Sequence, residues 1–189
     1  MTGFALHLLR HGAPETPGLL MGRTDGAPTP EGIAACVAQA ETLGIERLIA
    51  SDLRRSRAAG EAIGAALGVP LLIDPRWREL DFGDWDGKAA SAIDGDAFGS
   101  FWDDPDANPP AGGERWSALT ARVSVAIGDL APVPTLIVTH GGAMRAALHA
   151  LCGFDHRQLW AFDLPYAALL SLRLWPGEPP GAQIAGLYP

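Results

Sequence analysis

Two short apolar runs in this 189-residue chain end alike, in a histidine followed by glycine. Phe4-Ala5-Leu6-His7-Leu8-Leu9 runs into Arg10-His11-Gly12, and Thr135-Leu136-Ile137-Val138 runs into Thr139-His140-Gly141-Gly142. Apolar runs of this length, closed by turn residues, read as buried strands. In α/β folds the side chains just past the carboxyl ends of parallel strands face the crevice that binds ligands. Two histidines and an arginine delivered to that crevice point to chemistry on an anion, and phosphate suits them best.

The rest of the chain supports an alternating pattern. Thr29-Pro30-Glu31 opens a helix, with Thr29 as the cap and Pro30 at the first helical position. Ile33, Val37, Ala40 and Leu43 form its apolar face, and Gly44 ends it. Arg47–Ala50 reads as a second strand, Ser51-Asp52 as the cap of a helix running to about Leu67, and Leu71–Ile73 as a third strand. The stretch from Asp74 to Pro110 is irregular, with a short helix around Ala97–Asp103. A long helix from Gly113-Glu114 to about Leu130, a strand over Val133–Thr139 and a helix over Gly141–Leu151 follow. Gln158–Leu164 and Ala168–Trp175 read as closing strands at an edge. This order predicts a three-layer α/β/α fold with a mostly parallel central sheet. One domain is expected over residues 1–189, with a small cap region over about 86–116.

Charge and composition narrow the function. With 48% apolar residues the chain has the makings of a core. Twenty-two acidic against 14 basic side chains give a net charge of −8, which disfavours nucleic acid and anionic membranes as partners. A small anionic metabolite is compatible, because a few arginines can build a positive pocket in an acidic protein. Cys36 and Cys152 lie far apart in helix-like stretches and read as small apolar fillers in a reducing cytoplasm. A monomer or homodimer is expected.

Phosphoryl transfer needs a nucleophile, cations for the phosphoryl oxygens and a proton donor for the leaving oxygen. His11 can attack through a neutral ring nitrogen, and Arg10 offers a planar fork of donors. His140, when protonated, can donate to the same oxygens. The N–H groups of Gly141 and Gly142 open a helix and form an anion site. Ser51-Asp52-Leu53-Arg54-Arg55-Ser56-Arg57 supplies another cation, and Glu79 is the candidate acid. His7, His149 and His156 read as packed or capped residues. No HExxH motif or His/Cys cluster is present, so neither metal nor other cofactor is expected.

In this order, Leu9-Arg10-His11-Gly12, Ser51-x-Leu53-x-Arg55, Glu79-x-x-Phe82-Gly83-x-Trp85-x-Gly87 and Thr139-His140-Gly141-Gly142-x-x-Arg145 closely resemble the histidine phosphatase superfamily, the phosphoglycerate-mutase-like family. The resemblance implies that His11 is the phosphorylated nucleophile. It makes Arg10, Arg55 and His140 phosphate-binding groups and Glu79 the proton donor. Many members read Arg-His-Gly-Glu-Thr with an asparagine soon after; here Gly12-Ala13-Pro14-Glu15-Thr16-Pro17 keeps neither in register. The short interval between Glu79 and His140 favours hydrolysis over the return transfer of a mutase.

Gly22-Arg23-Thr24-Asp25 and Pro109-Pro110-Ala111-Gly112-Gly113-Glu114 resemble the α-ribazole phosphatase branch, which serves cobalamin synthesis. Phe98, Phe101 and Trp102 share a helix face, with Trp116 nearby; they can stack on a flat base or simply pack the cap. Trp102 and Trp116 are the candidate substrate contacts there. The alternatives within the family are a broad-specificity phosphatase, a mutase, or a non-catalytic phosphate binder. A binder needs neither His11 nor Glu79.

Overall fold

The structure is a computed structural model, described over residues 2–177 and 180–189. A six-stranded sheet runs β3-β2-β4-β1-β5-β6, built from β1 (Phe4–Arg10), β2 (Arg47–Ala50), β3 (Leu71–Ile73), β4 (Thr135–Thr139), β5 (Leu169–Trp175) and β6 (Gly181–Tyr188). The first four are mutually parallel, while β5 runs antiparallel to β1 and β6 antiparallel to β5. The expected mostly parallel α/β sheet is therefore present.

Helices cover both faces because the strands alternate their apolar side chains between them. Leu9, Leu48, Ala50, Leu136 and Val138 pack with Cys36, Ala40, Ala59 and Ile63 of α1 (Pro30–Ala40) and α2 (Arg54–Leu67). Leu6, Leu8 and Ile137 pack with Leu119, Val123, Met144 and Leu148 of α4 (Trp116–Gly128) and α5 (Gly141–Cys152). The short α3 (Gly95–Asp103), capped by Asp94, lies between β3 and α4 in sequence. Cys36 and Cys152 are both unpaired thiols. No helix among the described residues is long and apolar enough to cross a membrane.

Several boundaries differ from expectation. Thr29 caps α1 as expected, accepting from Gly32 N–H, but the helix stops at Ala40. Gln158–Leu164 is not a strand: Asp155 caps a single helical turn, α6 (His156–Leu159), through a reciprocal capping box with Gln158. The last strand is instead β6. Ser51 and Asp52 do not cap α2, whose N-cap is Leu53 without a side-chain bond. Both residues are committed elsewhere: Ser51 turns inward, and Asp52 accepts from Arg78 Nε at 2.6 Å. The long helix begins at Trp116 rather than Gly113, because Glu114 is drawn into an ion pair.

The loop after β1 lies directly on the first turn of α1. A Cβ on Gly12 would fall 2.0 Å from Gly32 O, and one on Gly32 would fall 2.6 Å from Ala13 N. Both obstacles are backbone, so neither can swing aside. Gly12→Ala is expected to destabilise the fold by about 1–3 kcal/mol through overpacking, read as a lowered urea midpoint. An unchanged midpoint would show that this loop is not seated on α1.

Candidate functional site

The parallel register puts Arg10 opposite Thr139, so the next residues, His11 and His140, leave neighbouring strands together. Their ring centroids are 5.0 Å apart. His11 N–H donates to Thr139 O at 2.9 Å, and Ala167 N–H donates to His11 O at 3.2 Å, fixing its backbone. His11 Nδ1 donates to Gly12 O at 2.8 Å, and Nε2 accepts from Arg55 Nε–H at 3.2 Å. These partners assign the proton to Nδ1 and the lone pair to Nε2. Burial, then the charges of Arg55 and Arg10, hold the ring's pKa well below the ordinary histidine value, although its bond to Gly12 works the other way. A neutral imidazole with a defined basic nitrogen results.

His140 is fully buried. Ser51 Oγ accepts from Leu53 N–H at 3.3 Å and lies 2.9 Å from His140 Nε2. The Ser56 hydroxyl donates to Thr139 O at 3.4 Å and lies 3.2 Å from the same ring nitrogen. His140 Nδ1 is buried, with no hydrogen-bond partner among the described residues. Burial first, then Arg55, His11, Arg10 and Arg122, depress its pKa well below the ordinary value.

Arg55 is almost wholly buried. Its NH1 donates to Thr24 O at 2.8 Å and its NH2 to Met21 O at 2.6 Å, both carbonyls rather than carboxylates. Arg10 donates from NH1 to Leu164 O at 2.5 Å, and its guanidinium carbon lies 4.3 Å from the Tyr166 ring centroid. Arg10 Nε is buried without a hydrogen-bond partner among the described residues. Tyr166 also leans on His11, with ring centroids 5.5 Å apart. A Cβ on Gly141 would lie 3.7 Å from Arg10 Nε, so the start of α5 adjoins this cation.

Glu79 is held at the same helix start. Oε2 accepts from Gly142 N–H at 3.1 Å and Oε1 from Leu80 N–H at 2.9 Å. A Cβ on residue 142 would lie 2.1 Å from Oε1, so only glycine lets the carboxylate come this close. Arg122 fixes the backbone behind Glu79, donating to the carbonyls of Arg76, Arg78 and Glu79 at 2.6, 2.8 and 2.9 Å. Glu114 receives Arg122 Nε and NH2, both at 2.8 Å. Sequence reasoning did not single out this pair. The available signal was a charged residue three after Leu119, on the buried face of α4.

A cavity of about 280 Å³ opens beside the cluster. Arg10, Glu79, Gly141 and Gly142 form its floor, and Phe101, Trp102, Trp116 and Trp160 line its walls with Arg145 and His156. Trp102 meets Trp160 edge-on, with centroids 4.5 Å apart. Arg145 lies 4.2 Å from the Trp160 centroid and donates to Gly141 O and Phe162 O at 3.3 and 3.2 Å. Phe98 does not line the cavity and packs behind it on Trp102 and Trp85, with centroids 5.6 and 6.0 Å away. Trp160, Arg145 and His156 were not anticipated as wall residues. His7 bonds Ser171 Oγ at 2.8 Å and His149 bonds Phe154 O at 2.7 Å, both away from the cavity.

Two neutral buried histidines have a consequence for stability. The unfolded chain takes up a proton on each near pH 6.5, whereas the folded chain, with both pKa values depressed, does not. The unfolded state therefore binds more protons as pH falls, and stability present above pH 6.5 is lost below it. The slope reaches about 1.4 kcal/mol per pH unit for each histidine, and His7, also lowered by burial, acts in the same sense. Urea unfolding at pH 7.5 and 5.5 checks this. Equal stability at both values would contradict neutral burial.

Comparison with known proteins agrees with this geometry. Residues 6–183 match the histidine phosphatase superfamily (branch 1). A glucosyl-3-phosphoglycerate phosphatase of Mycolicibacterium vanbaalenii is 33% identical over 166 residues, covering 78% of this chain and 74% of the relative. The native structure of a mycobacterial glucosyl-3-phosphoglycerate phosphatase superposes with a TM-score of 0.85 at 25% identity, covering 97% of both chains. An α-ribazole phosphatase from Shigella flexneri shares the fold, with a TM-score of 0.82 at 22% identity over 97% of this chain and 96% of that one. The histidine pair, the buried arginine and the match over nearly the whole chain lead to one conclusion: this protein belongs to the histidine phosphatase superfamily and is a phosphatase.

Proposed function

We propose that the protein hydrolyses phosphate monoesters through a phosphohistidine at His11, without a metal ion. The observation that carries this reading is the His11 ring itself: neutral, with Nδ1–H on Gly12 O and the lone pair at Nε2 beside Arg55. Nε2 attacks phosphorus in line with the departing alcohol oxygen. With phosphorus in front of Nε2, the Arg55 Nε–H, held where it is, meets a phosphoryl oxygen in place of the ring nitrogen, joined by Arg10 and His140. The positive charge that grows on the His11 ring is stabilised through Nδ1–H and Gly12 O. Glu79 gives its proton to the leaving oxygen as the P–O bond breaks. Water then attacks the phosphohistidine, Glu79 takes that water's proton, and phosphate leaves with His11 restored.

For the substrate, α-ribazole 5′-phosphate is our first assignment. Its support is the aromatic wall of Phe101, Trp102, Trp116 and Trp160 around the cavity, which suits a flat, apolar leaving group. Glucosyl-3-phosphoglycerate is the second, and one observation favours it. The cap's Arg115 donates to Asp106 O and does not line the cavity, but Arg145 brings a cation to the wall from α5. A carboxylate on the leaving group would find it there.

His11→Ala is expected to abolish turnover and to remove the acid-labile phosphate label that brief incubation with substrate leaves on the wild type. Near-normal activity would end the phosphohistidine mechanism. Glu79→Gln is expected to slow esters with poor leaving groups far more than p-nitrophenyl phosphate, since nitrophenolate departs with little protonation; equal losses would give Glu79 a structural role. Activity is expected to survive exhaustive EDTA treatment, and a loss restored by Mg²⁺ or Zn²⁺ would overturn the metal-free reading.

For specificity, kcat/KM is expected to be higher for α-ribazole 5′-phosphate than for 3-phosphoglycerate or glucosyl-3-phosphoglycerate. A stacked aromatic adds roughly 0.5–1.5 kcal/mol beyond burial, so Trp102→Ala or Trp116→Ala should lower kcat/KM on the ribazole ester by about ten-fold or less. A preference for the glucosyl ester would select the second assignment.

A further inference from the structure

We infer that Asp86 is a positioning residue for Arg55, acting through the backbone of Gly22, Arg23 and Thr24; the inference rests on reading Arg55 and His11 as the phosphoryl-handling pair. Asp86 Oδ2 accepts from Arg23 N–H at 2.6 Å, and Oδ1 accepts from Thr24 N–H at 2.7 Å. The stretch it grips presents Met21 O and Thr24 O to two corners of the Arg55 guanidinium, at 2.6 and 2.8 Å. The third corner, Nε–H, then points at His11 Nε2, 3.2 Å away. A guanidinium is planar and rigid, so fixing two corners aims the third. Asp86 is not among the residues lining the cavity. Its route to the reacting atoms runs through this backbone and Arg55.

The side chain suits the task. A carboxylate has two acceptor oxygens and can receive two adjacent N–H groups side by side. An amide of the same shape has one oxygen and would turn an N–H toward an N–H. Burial raises the Asp86 pKa, but hydrogen bonds from the Thr24 side chain and from Arg23, Thr24 and Gly22 outweigh it and keep the group below the ordinary carboxylate value. The contacts also tie the loop to the segment that carries Glu79. Gly87 N–H donates to Leu20 O at 2.7 Å, Leu20 N–H donates to Lys88 O at 2.9 Å, and Arg23 Nε meets Asp81 Oδ2 at 3.1 Å. The phosphate-holding arginine and the proton donor are thereby set from one loop pair.

The test compares Asp86→Asn and Thr24→Val with the wild type, by kinetics and by NMR of the His11 ring nitrogens. Thr24→Val removes the hydroxyl that helps hold Asp86 ionised, leaves the Thr24 N–H on Asp86 Oδ1, and serves if Asp86→Asn folds poorly. Misaligned catalytic groups can cost about 10²-fold. Asp86→Asn is expected to lower kcat to that extent on p-nitrophenyl phosphate and on an alkyl phosphate alike, with Thr24→Val smaller in the same direction. The His11 Nε2 resonance should move toward that of an unbonded neutral ring, and its titration should shift upward as Arg55 loses its aim. A loss confined to the alkyl ester would place Asp86 with the proton donor instead. An unchanged His11 resonance in both variants, whatever the rates, would overturn the inference. The NMR readout needs no turnover, so it stands even if His11→Ala proves active and the phosphohistidine reading falls.

Discussion

The parallel pairing of β1 with β4 is the constraint on which the rest of the site depends. With Arg10 opposite Thr139, the chain has no choice about where His11 and His140 emerge. A slip of β1 by one residue would turn Leu6 and Leu8 away from α4 and α5 and Leu9 away from α1 and α2, so each would lose the neighbours it packs against. The hydrophobic pattern that builds the core therefore also fixes the distance between the two rings. The loop after β1 and the start of α5 inherit their positions from the same register. So does Glu79, held on the N–H of Gly142.

The electrostatics follow from how the buried charge is partnered. Arg55 is satisfied by carbonyl oxygens and a neutral ring, and Arg10 by a carbonyl and the face of Tyr166. Dipoles and π faces solvate a guanidinium without cancelling its charge. In contrast, Arg122 is matched to Glu114 and serves as scaffolding. A protein with a net charge of −8 thus keeps a cationic hollow, because among the described residues neither Arg10 nor Arg55 is ion-paired with a carboxylate. The same field, together with burial, keeps both histidines neutral.

Much of this was legible in the chain. The strands ending in His11 and His140, the cap at Thr29 and the four motifs in order each announce themselves locally. The misreadings have physical causes. Gln158–Leu164 is apolar enough to resemble a strand, but Asp155 and Gln158 close a capping box that commits the chain to a helical turn. β6 contains Gly181, Ala182, Ala185 and Gly186 and has little alternation to reveal it; it forms because β5 offers it an edge. Arg145 and Trp160 meet only in three dimensions, since their contact depends on how α5 and the turn after α6 pack. Ser51 looked like a helix cap because serine at that place usually is one, and only the fold shows His140 as its partner.

The aromatic wall comes from α3, the start of α4 and the turn at Trp160, and none of these belongs to the sheet. Arg10, His11, Arg55 and His140 come from strand ends and the helix starts that follow them, and Glu79 from the segment after β3, held on the first turn of α5. This separation has an evolutionary corollary. A lineage carrying such a scaffold can drift through many alcohol moieties by exchanging bulky side chains on peripheral segments, while its reaction stays constant. Divergence in diet then precedes divergence in chemistry.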